Sequence, residues 1–311
     1  MGVEIEASLD GTAPLILHAR HPDKRLNAID YSLPIASAQV KSCLLLAALA
    51  GNGITILREP GLSRDHTERL FRKLGIRIST ERLGITNNIY LDPQPKIGIP
   101  PFSIRIPGDI SSAAFLWVGG LITPGSEIVV EHVGLNPTRN GLYNALSSMG
   151  GELMITELHD NDYEPTGTTR IRHARLSGVN ISGDIVVRMI DEFPAFGIAA
   201  SFASGTSVIR DAIELRHKES DRIHAFCSEL ARVGGHAIET EDGFIVHGGH
   251  TLNGGSAESH NDHRLGMAFA VAGQASKEAI IIQNSEIINE SFPGFVDVMK
   301  CLGARIQQIN E

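Results

Sequence analysis

A chain of 311 residues, 42% of them hydrophobic, can bury a sizeable core, and its length favours two domains over one. A net charge of -9 excludes bulk electrostatic binding of nucleic acid, which needs a basic surface, so any anionic ligand must be held by a local cluster of cations. No apolar run is long enough to span a bilayer and no signal-peptide pattern opens the chain, so it reads as a soluble, cytoplasmic protein with no membrane partner.

In chain order, the sequence repeats one design at intervals of about 75 residues. Four times a small or polar cluster leads into an apolar helix: Ser37-Ala38-Gln39 before Val40 to Ala50, Ser111-Ser112-Ala113 before Ala114 to Ile122, Asp191-Glu192-Phe193-Pro194 before Ala195 to Ala203, and Asn261-Asp262-His263-Arg264 before Leu265 to Ala275. A β-branched strand follows each, at Ile54–Leu57, Ile128–Val130, Ser207–Ile209 and Ala279–Ile282, and then an amphipathic helix. These second helices stop at Leu74-Gly75, Met149-Gly150, Val233-Gly234 and Leu302-Gly303, and each is expected to lead into a further strand. The unit is therefore strand, helix, strand, helix, hairpin. The three cysteines, Cys43, Cys227 and Cys301, each fall in an apolar helical pattern and read as buried small hydrophobes, not as a disulfide framework.

Met1-Gly2-Val3-Glu4-Ile5 aligns with Met149-Gly150-Gly151-Glu152-Leu153, so the chain opens in mid-unit and a preceding N-terminal portion is expected. The Pro-rich piece Pro93 to Pro101 is the linker candidate. It divides the sequence into 1–102, a hairpin plus one full unit, and 103–311, three units.

Helix starts offer free backbone N–H groups to anions, so a ligand site is expected where the polar clusters converge. The stretch from Glu214 to Arg222 reads as the charged first turn of a helix that continues through Ile223, Phe226, Leu230 and Val233, with Lys218 and Arg222 on one face. Taken singly it is equally a solvated face of Glu and Arg pairs. Together with Asn261-Asp262-His263-Arg264 and Ser63-Arg64-Asp65-His66 it supplies the cations and carboxylates for holding a phosphate beside a proton-transfer group. His260, Asp262 and His263, and the His247 to His250 loop, lack the further ligands that a metal site requires.

Several motifs carry a resemblance to a known family. Leu33 to Ser42, Ser63 to Glu68, Pro107 to Ala113, Leu135 to Arg139, Asp191 to Pro194, Leu215 to Arg222 and Asn261 to Arg264 occur in the order found in the 5-enolpyruvylshikimate-3-phosphate synthases, of the enolpyruvyl transferase family. The resemblance implies an α/β (α+β) chain in the two-lobed enolpyruvyl transferase architecture, built from repeated βαβαββ units around buried helices. In it 1–102 is the remainder of the N-terminal lobe and 103–311 the C-terminal lobe. Its substrates would be phosphoenolpyruvate and shikimate 3-phosphate, with no metal or organic cofactor, and the full-length family form is expected to be a monomer.

By motif, Ser37, Ala38, Gln39, Ser63 and Arg64 resemble the shikimate 3-phosphate contacts, joined by Asp191 and Lys218. Gln39, Arg222 and Arg264 resemble the phosphoenolpyruvate contacts, and Asp191, Glu219 and Lys218 the catalytic groups. The family's N-terminal third, with a Lys-Ser pair and further cations, has no counterpart in the sequence, and Glu290 stands where some members place a lysine. The resemblance leaves two alternatives. One is the sister transferase acting on UDP-N-acetylglucosamine, although Cys43 lies among leucines and not in a loop. The other is a non-catalytic substrate-binding fragment.

Overall fold

The glycines that punctuate the repeats show how closely the units copy one another. Gly75, Gly150, Gly234 and Gly303 all have positive φ, between 77° and 93°. Each follows a second helix, and each pair of hydrogen bonds has the Schellman pattern: Gly75 N–H to Arg72 and Ile76 N–H to Phe71, repeated by Gly150 and Gly151, Gly234 and Gly235, and Gly303 and Ala304. Glycine adopts this left-handed conformation without the steric cost of a Cβ, which fixes where each amphipathic helix stops.

The structure is a computed structural model that describes residues 1–21, 23–93, 98–160 and 163–309; the centre of the expected linker, 94–97, lies outside the described residues. The chain forms two compact units, Met1–Arg105 and Ile106–Glu311. The first opens with an exposed antiparallel hairpin, β1 (Ile5–Glu6) and β2 (Ile16–Leu17). One complete repeat follows: β3 (Asp30–Ser32), α1 (Ala38–Ala48), β4 (Thr55–Glu59), α2 (His66–Lys73), β5 (Arg77–Leu83) and β6 (Thr86–Asp92). Its sheet runs β3-β4-β6-β5, with β3 and β4 parallel and the remaining pairs antiparallel. Leu45, Leu57, Phe71, Ile89 and Leu91 fill the core between sheet and helices.

The second unit holds α3 (Ile110–Ile122), β7 (Glu127–Gly134), α4 (Gly141–Ser148), β8 (Glu152–His159) and β9 (Thr166–Arg172). Then come β10 (Asn180–Ile181), α5 (Asp184–Arg188), α6 (Phe193–Phe202), β11 (Thr206–Ile209), α7 (Arg222–Arg232), β12 (Ala237–Thr240) and β13 (Gly243–His247). It closes with β14 (Gly255–Glu258), α8 (His263–Ala272), β15 (Ile280–Gln283) and α9 (Phe295–Cys301). The order β10-β11-β13-β12 repeats that of the first unit. In β7-β9-β8 the leading strand shrinks to one parallel bridge, Gly108 to Val133. β14 pairs in parallel with β15, but the strand expected after Leu302-Gly303 does not form among the described residues.

The apolar first helices α3, α6 and α8 pack on one another and are buried on nearly every side, as helices without a polar face must be. α1 is different. It turns only Lys41, Leu45 and Ala48 inward and leaves Val40 and Leu46 exposed. Cys43 is consequently exposed, as is Cys301, and only Cys227 fits the expectation of a buried thiol.

The four first helices begin up to a turn earlier than the apolar pattern suggests, and in three of them a capping side chain sets the start, while α6 has a proline in its first turn and no side-chain cap. Ser37 accepts from the Val40 N–H, Asp109 from Ser111 and Ser112, and Asp262 from Arg264. The stretch Glu214 to Arg222 also departs from expectation. A 3-10 turn occupies Ile213–His217, Lys218 is extended, and α7 starts at Arg222 behind the cap Asp221. Lys218 and Arg222 therefore do not share a helical face, since the Asp221 carboxylate caps the helix after Lys218 instead of before it.

Candidate active site

In the first unit, Ser37 caps α1 and Ala38 and Gln39 form its first turn, with Gln39 exposed. Ser63 and Arg64 lie just ahead of α2, whose cap is Asp65. A buried ionic cluster holds the two helix starts side by side. Lys41 Nζ is 2.7 Å from Glu68 Oε1 and 3.3 Å from Glu59 Oε1, and all three side chains are fully buried. Ser42 Oγ meets Thr67 Oγ1 at 2.6 Å. Burial pushes the Glu68 carboxyl above its usual range even though Lys41 opposes the shift. Ser63 does not meet the expectation of a phosphate donor. It is buried and its hydroxyl donates to Glu59 Oε2 at 2.7 Å, so that proton is already committed.

In the second unit the expected residues converge. Asp191, immediately before α6, has its Oδ1 3.8 Å from Lys218 Nζ and 3.5 Å from Arg222 Nη1. Lys218 also donates to Glu214 at 2.7 Å. Arg222, 2% exposed, donates through Nη2 to Glu219 at 2.6 Å and through Nε to Asp262 at 2.7 Å. Its buried Nη1 makes no hydrogen bond among the described residues, and neither does the buried Nε of Arg264. Two guanidinium groups thus keep donor capacity after their structural partners are counted, which suits a carboxylate or phosphate. Arg264 stands in the first turn of α8, its N–H donating to Asp262 Oδ1 at 3.0 Å.

Part of the charged stretch is structural. Arg216 pairs with Asp221 and Glu239, each at 2.8 Å, which is the solvated-face alternative realised at one end. Burial, then the neighbouring Arg264, lower the pKa of His263 and favour the neutral ring. Among the described residues no group of three or more His, Cys, Asp or Glu is placed to hold a metal ion.

Two residues without an assigned role proved central. Asp262 is fully buried and takes bonds from Arg222, Ser220 and Arg264. Glu192, 1% exposed, receives the Ser111 hydroxyl and lies 3.3 Å from Arg139. The signal in the sequence was a carboxylate at a helix start, two residues before an arginine in the first case and beside Asp191 in the second.

Repeated βαβαββ units around buried helices, with arginines gathered at the helix starts, define a chain of the enolpyruvyl transferase class. The enolpyruvyl transferase NikO from Streptomyces tendae shares the fold, with a TM-score of 0.74 at 17% identity over 98% of this chain and 69% of its own. A family model described as EPSP synthase (3-phosphoshikimate 1-carboxyvinyltransferase) matches residues 1–299, and the chain belongs to that family. The 3-phosphoshikimate 1-carboxyvinyltransferase of Citrifermentans bemidjiense is 43% identical over 96% of this chain and 68% of its own length. That of Coxiella burnetii strain RSA 331 is 44% identical over 99% and 68%.

The EPSP synthase of Acinetobacter baumannii superposes with a TM-score of 0.87 at 39% identity, over 99% of this chain and 69% of its own. Membership makes the chain a transferase of the shikimate-pathway kind and supports that reading over the nucleotide-sugar transferase. The matches cover most of each relative, and the expectation of an absent N-terminal third is not borne out by them.

Proposed function

We propose that the chain transfers the enolpyruvyl group of phosphoenolpyruvate to the 5-hydroxyl of shikimate 3-phosphate, releasing inorganic phosphate. The observation that carries this reading is the convergence of Lys218 and Arg222 on Asp191. Asp191 takes the proton of the attacking hydroxyl as its oxygen bonds to C2 of phosphoenolpyruvate, and C3 gains a proton through Glu219 or Lys218. A proton then leaves C3 as the phosphate departs from C2, restoring the enol ether. Arg222 and Arg264 hold the phosphoenolpyruvate anion and stabilise charge that develops during addition. Gln39 contacts both substrates, while Ser37, the Ala38 backbone and Arg64 hold the shikimate phosphate and Ser63 shapes that loop. Residues 1–102 and 103–311 serve as parts of the two lobes. The protein works in the cytoplasm without nucleic acid, and the full-length family form is a monomer.

The test is phosphate release from phosphoenolpyruvate in the presence of shikimate 3-phosphate. Loss of a positioned general base costs about 100-fold to 10,000-fold, so Asp191→Asn should lower the rate by that order. A rate unchanged by Asp191→Asn overturns the assignment of the base, and release that needs no shikimate 3-phosphate overturns the acceptor.

A further inference from the structure

The loop that carries Asp262 and Arg264 into the site is held in an unusual backbone conformation. The Asp262 N–H donates to the Ser259 carbonyl at 2.9 Å, closing a four-residue turn. Its two central residues, His260 and Asn261, both have φ of 54°. That is the type I′ arrangement, which favours Gly or Asn at the central positions. Asn261 suits it, but His260 brings a Cβ and a ring into the left-handed region, a conformation that persists only where the surroundings impose it.

One helix holds the turn at both ends. α7 begins with Arg222 and carries Glu229 two turns further along, so both side chains leave the same face. Arg222 holds Asp262 at the far end of the turn at 2.7 Å, and Glu229 Oε1 lies 2.9 Å from His260 Nε2. Glu229 is itself fixed. Its side chain is 3% exposed, and its other oxygen accepts from the Glu258 N–H at 2.9 Å and pairs with Arg232 at 3.1 Å. Burial opposes ionisation of Glu229, yet the Glu258 amide, His260 and Arg232 outweigh it and hold the carboxyl below its usual range. On the opposite side the His260 N–H donates to Glu258 Oε1, which also accepts from Asn284 Nδ2.

We propose that the Glu229–His260 pair is a positioning device for the anion clamp: it pins the strained turn to α7 so that Asp262 sets the Arg222 guanidinium and Arg264 is presented to phosphoenolpyruvate. The inference rests on the proposed roles of Arg222 and Arg264. Neither Glu229 nor His260 is assigned contact with substrate; they act through Asp262 and the start of α8. A turn released from α7 shifts Asp262, and with it the acceptor for Arg222 Nε and the cap of α8.

Calorimetric titration of phosphoenolpyruvate into the full chain tests the device, with Arg264→Ala as reference and thermal melting to show that each variant is folded. His260→Leu removes the donor to Glu229 and keeps the strained backbone; it should weaken phosphoenolpyruvate binding by about tenfold. His260→Gln retains a side-chain donor and should return affinity to within about threefold of the parent, a rescue that a purely space-filling role would not give. Glu229→Gln keeps an oxygen for the Glu258 amide, so the helix survives, and should weaken binding by about threefold or more. Shikimate 3-phosphate affinity should stay within about twofold throughout. Unchanged phosphoenolpyruvate affinity in folded His260→Leu or Glu229→Gln, while Arg264→Ala loses it, overturns the positioning role alone. Binding that Arg264→Ala leaves intact, or a parent chain that binds no phosphoenolpyruvate, overturns the clamp reading and this inference with it.

Discussion

Replacing Lys41 with methionine would remove the cation that pairs with two fully buried carboxylates, Glu59 and Glu68. Deleting one partner of a buried ion pair costs about 3 to 5 kcal/mol, because the remaining charge is left without compensation. The lower end applies here. Glu59 keeps two donors, Ser63 Oγ at 2.7 Å and Asn87 Nδ2 at 2.8 Å. Apart from Lys41, Glu68 has no hydrogen-bond partner among the described residues, and burial already raises its pKa, so without Lys41 it takes up a proton instead of staying charged. A loss of about 3 kcal/mol corresponds to roughly a hundredfold in the opening equilibrium of the first unit.

Hydrogen exchange of amides in β4 and β6, read against amides of α3 as an internal reference, measures that change. The pH dependence has a fixed sign. A carboxyl whose pKa is higher folded than unfolded binds more protons in the folded state, so stability falls as pH rises from the unfolded value of 4.5 through the raised folded value. The Lys41→Met loss should therefore be smaller at about pH 5 than at about pH 8. Adding Glu59→Gln and Glu68→Gln should recover most of it. A loss below about 1 kcal/mol, the figure for solvent-screened pairs, with no pH dependence, would refute the description of this cluster as dry and charged.

Other outcomes follow from single residues. Gly150→Ala, at φ 87° with its nearest neighbour 3.7 Å away, should lower stability by about 1 to 2 kcal/mol from backbone strain. Gly234→Ala, at φ 86°, should cost more in the same melting experiment because the new Cβ would lie 2.5 Å from Asn253 Nδ2. Cys43 and Cys301 should react with a thiol reagent in the folded chain. Cys227, whose thiol is pushed up to about 12 by burial first and by Glu239 second, should react only on unfolding. His263, held neutral by burial and Arg264, binds fewer protons folded than unfolded, so stability should drop as pH falls below 6.5. His263→Gln should flatten that slope.

The repeat was legible because its punctuation is local chemistry. A glycine that must have positive φ and an apolar run of helical period state where a helix ends and which side is buried. The helix starts were less legible, because an N-cap side chain outranks the apolar pattern: Asp109 begins α3 ahead of its apolar run, and Asp221 divides the stretch that reads as one helix. Asp191, Lys218 and Arg222 were identifiable by type and motif, but their meeting was not, since Lys218 reaches Asp191 from an extended link between a 3-10 turn and α7. The exposure of Cys43 lay beyond any local pattern. α1 is about as apolar as α8, and only the three-helix packing of α3, α6 and α8 shows what α8 has and α1 lacks.

Within the second unit, two copies of one contact show how a scaffold becomes a site. In each, an arginine at or before a second helix reaches a buried carboxylate at the start of the next first helix: Arg139 to Glu192 at 3.3 Å, and Arg222 to Asp262 at 2.7 Å. The contact ties successive repeats together, so by itself it carries no chemistry. The surroundings differ. Around Arg139 the chain places Asn136, Thr138 and Asn140, with one further carboxylate, Asp109, at 3.8 Å; Asn136 Oδ1 accepts from the Thr138 N–H, and Asn140 Oδ1 accepts from Arg188. Around Arg222 it places Lys218, Glu219 and Asp191, whose charges can hold an anion and move a proton. On the proposed function, what separates the two copies is the set of charged residues added to the second tie. Substituting Lys218 should impair turnover while leaving the packing of α6 against α8 intact, whereas substituting Asp262 should disturb both, because it belongs to the tie and to the clamp at once.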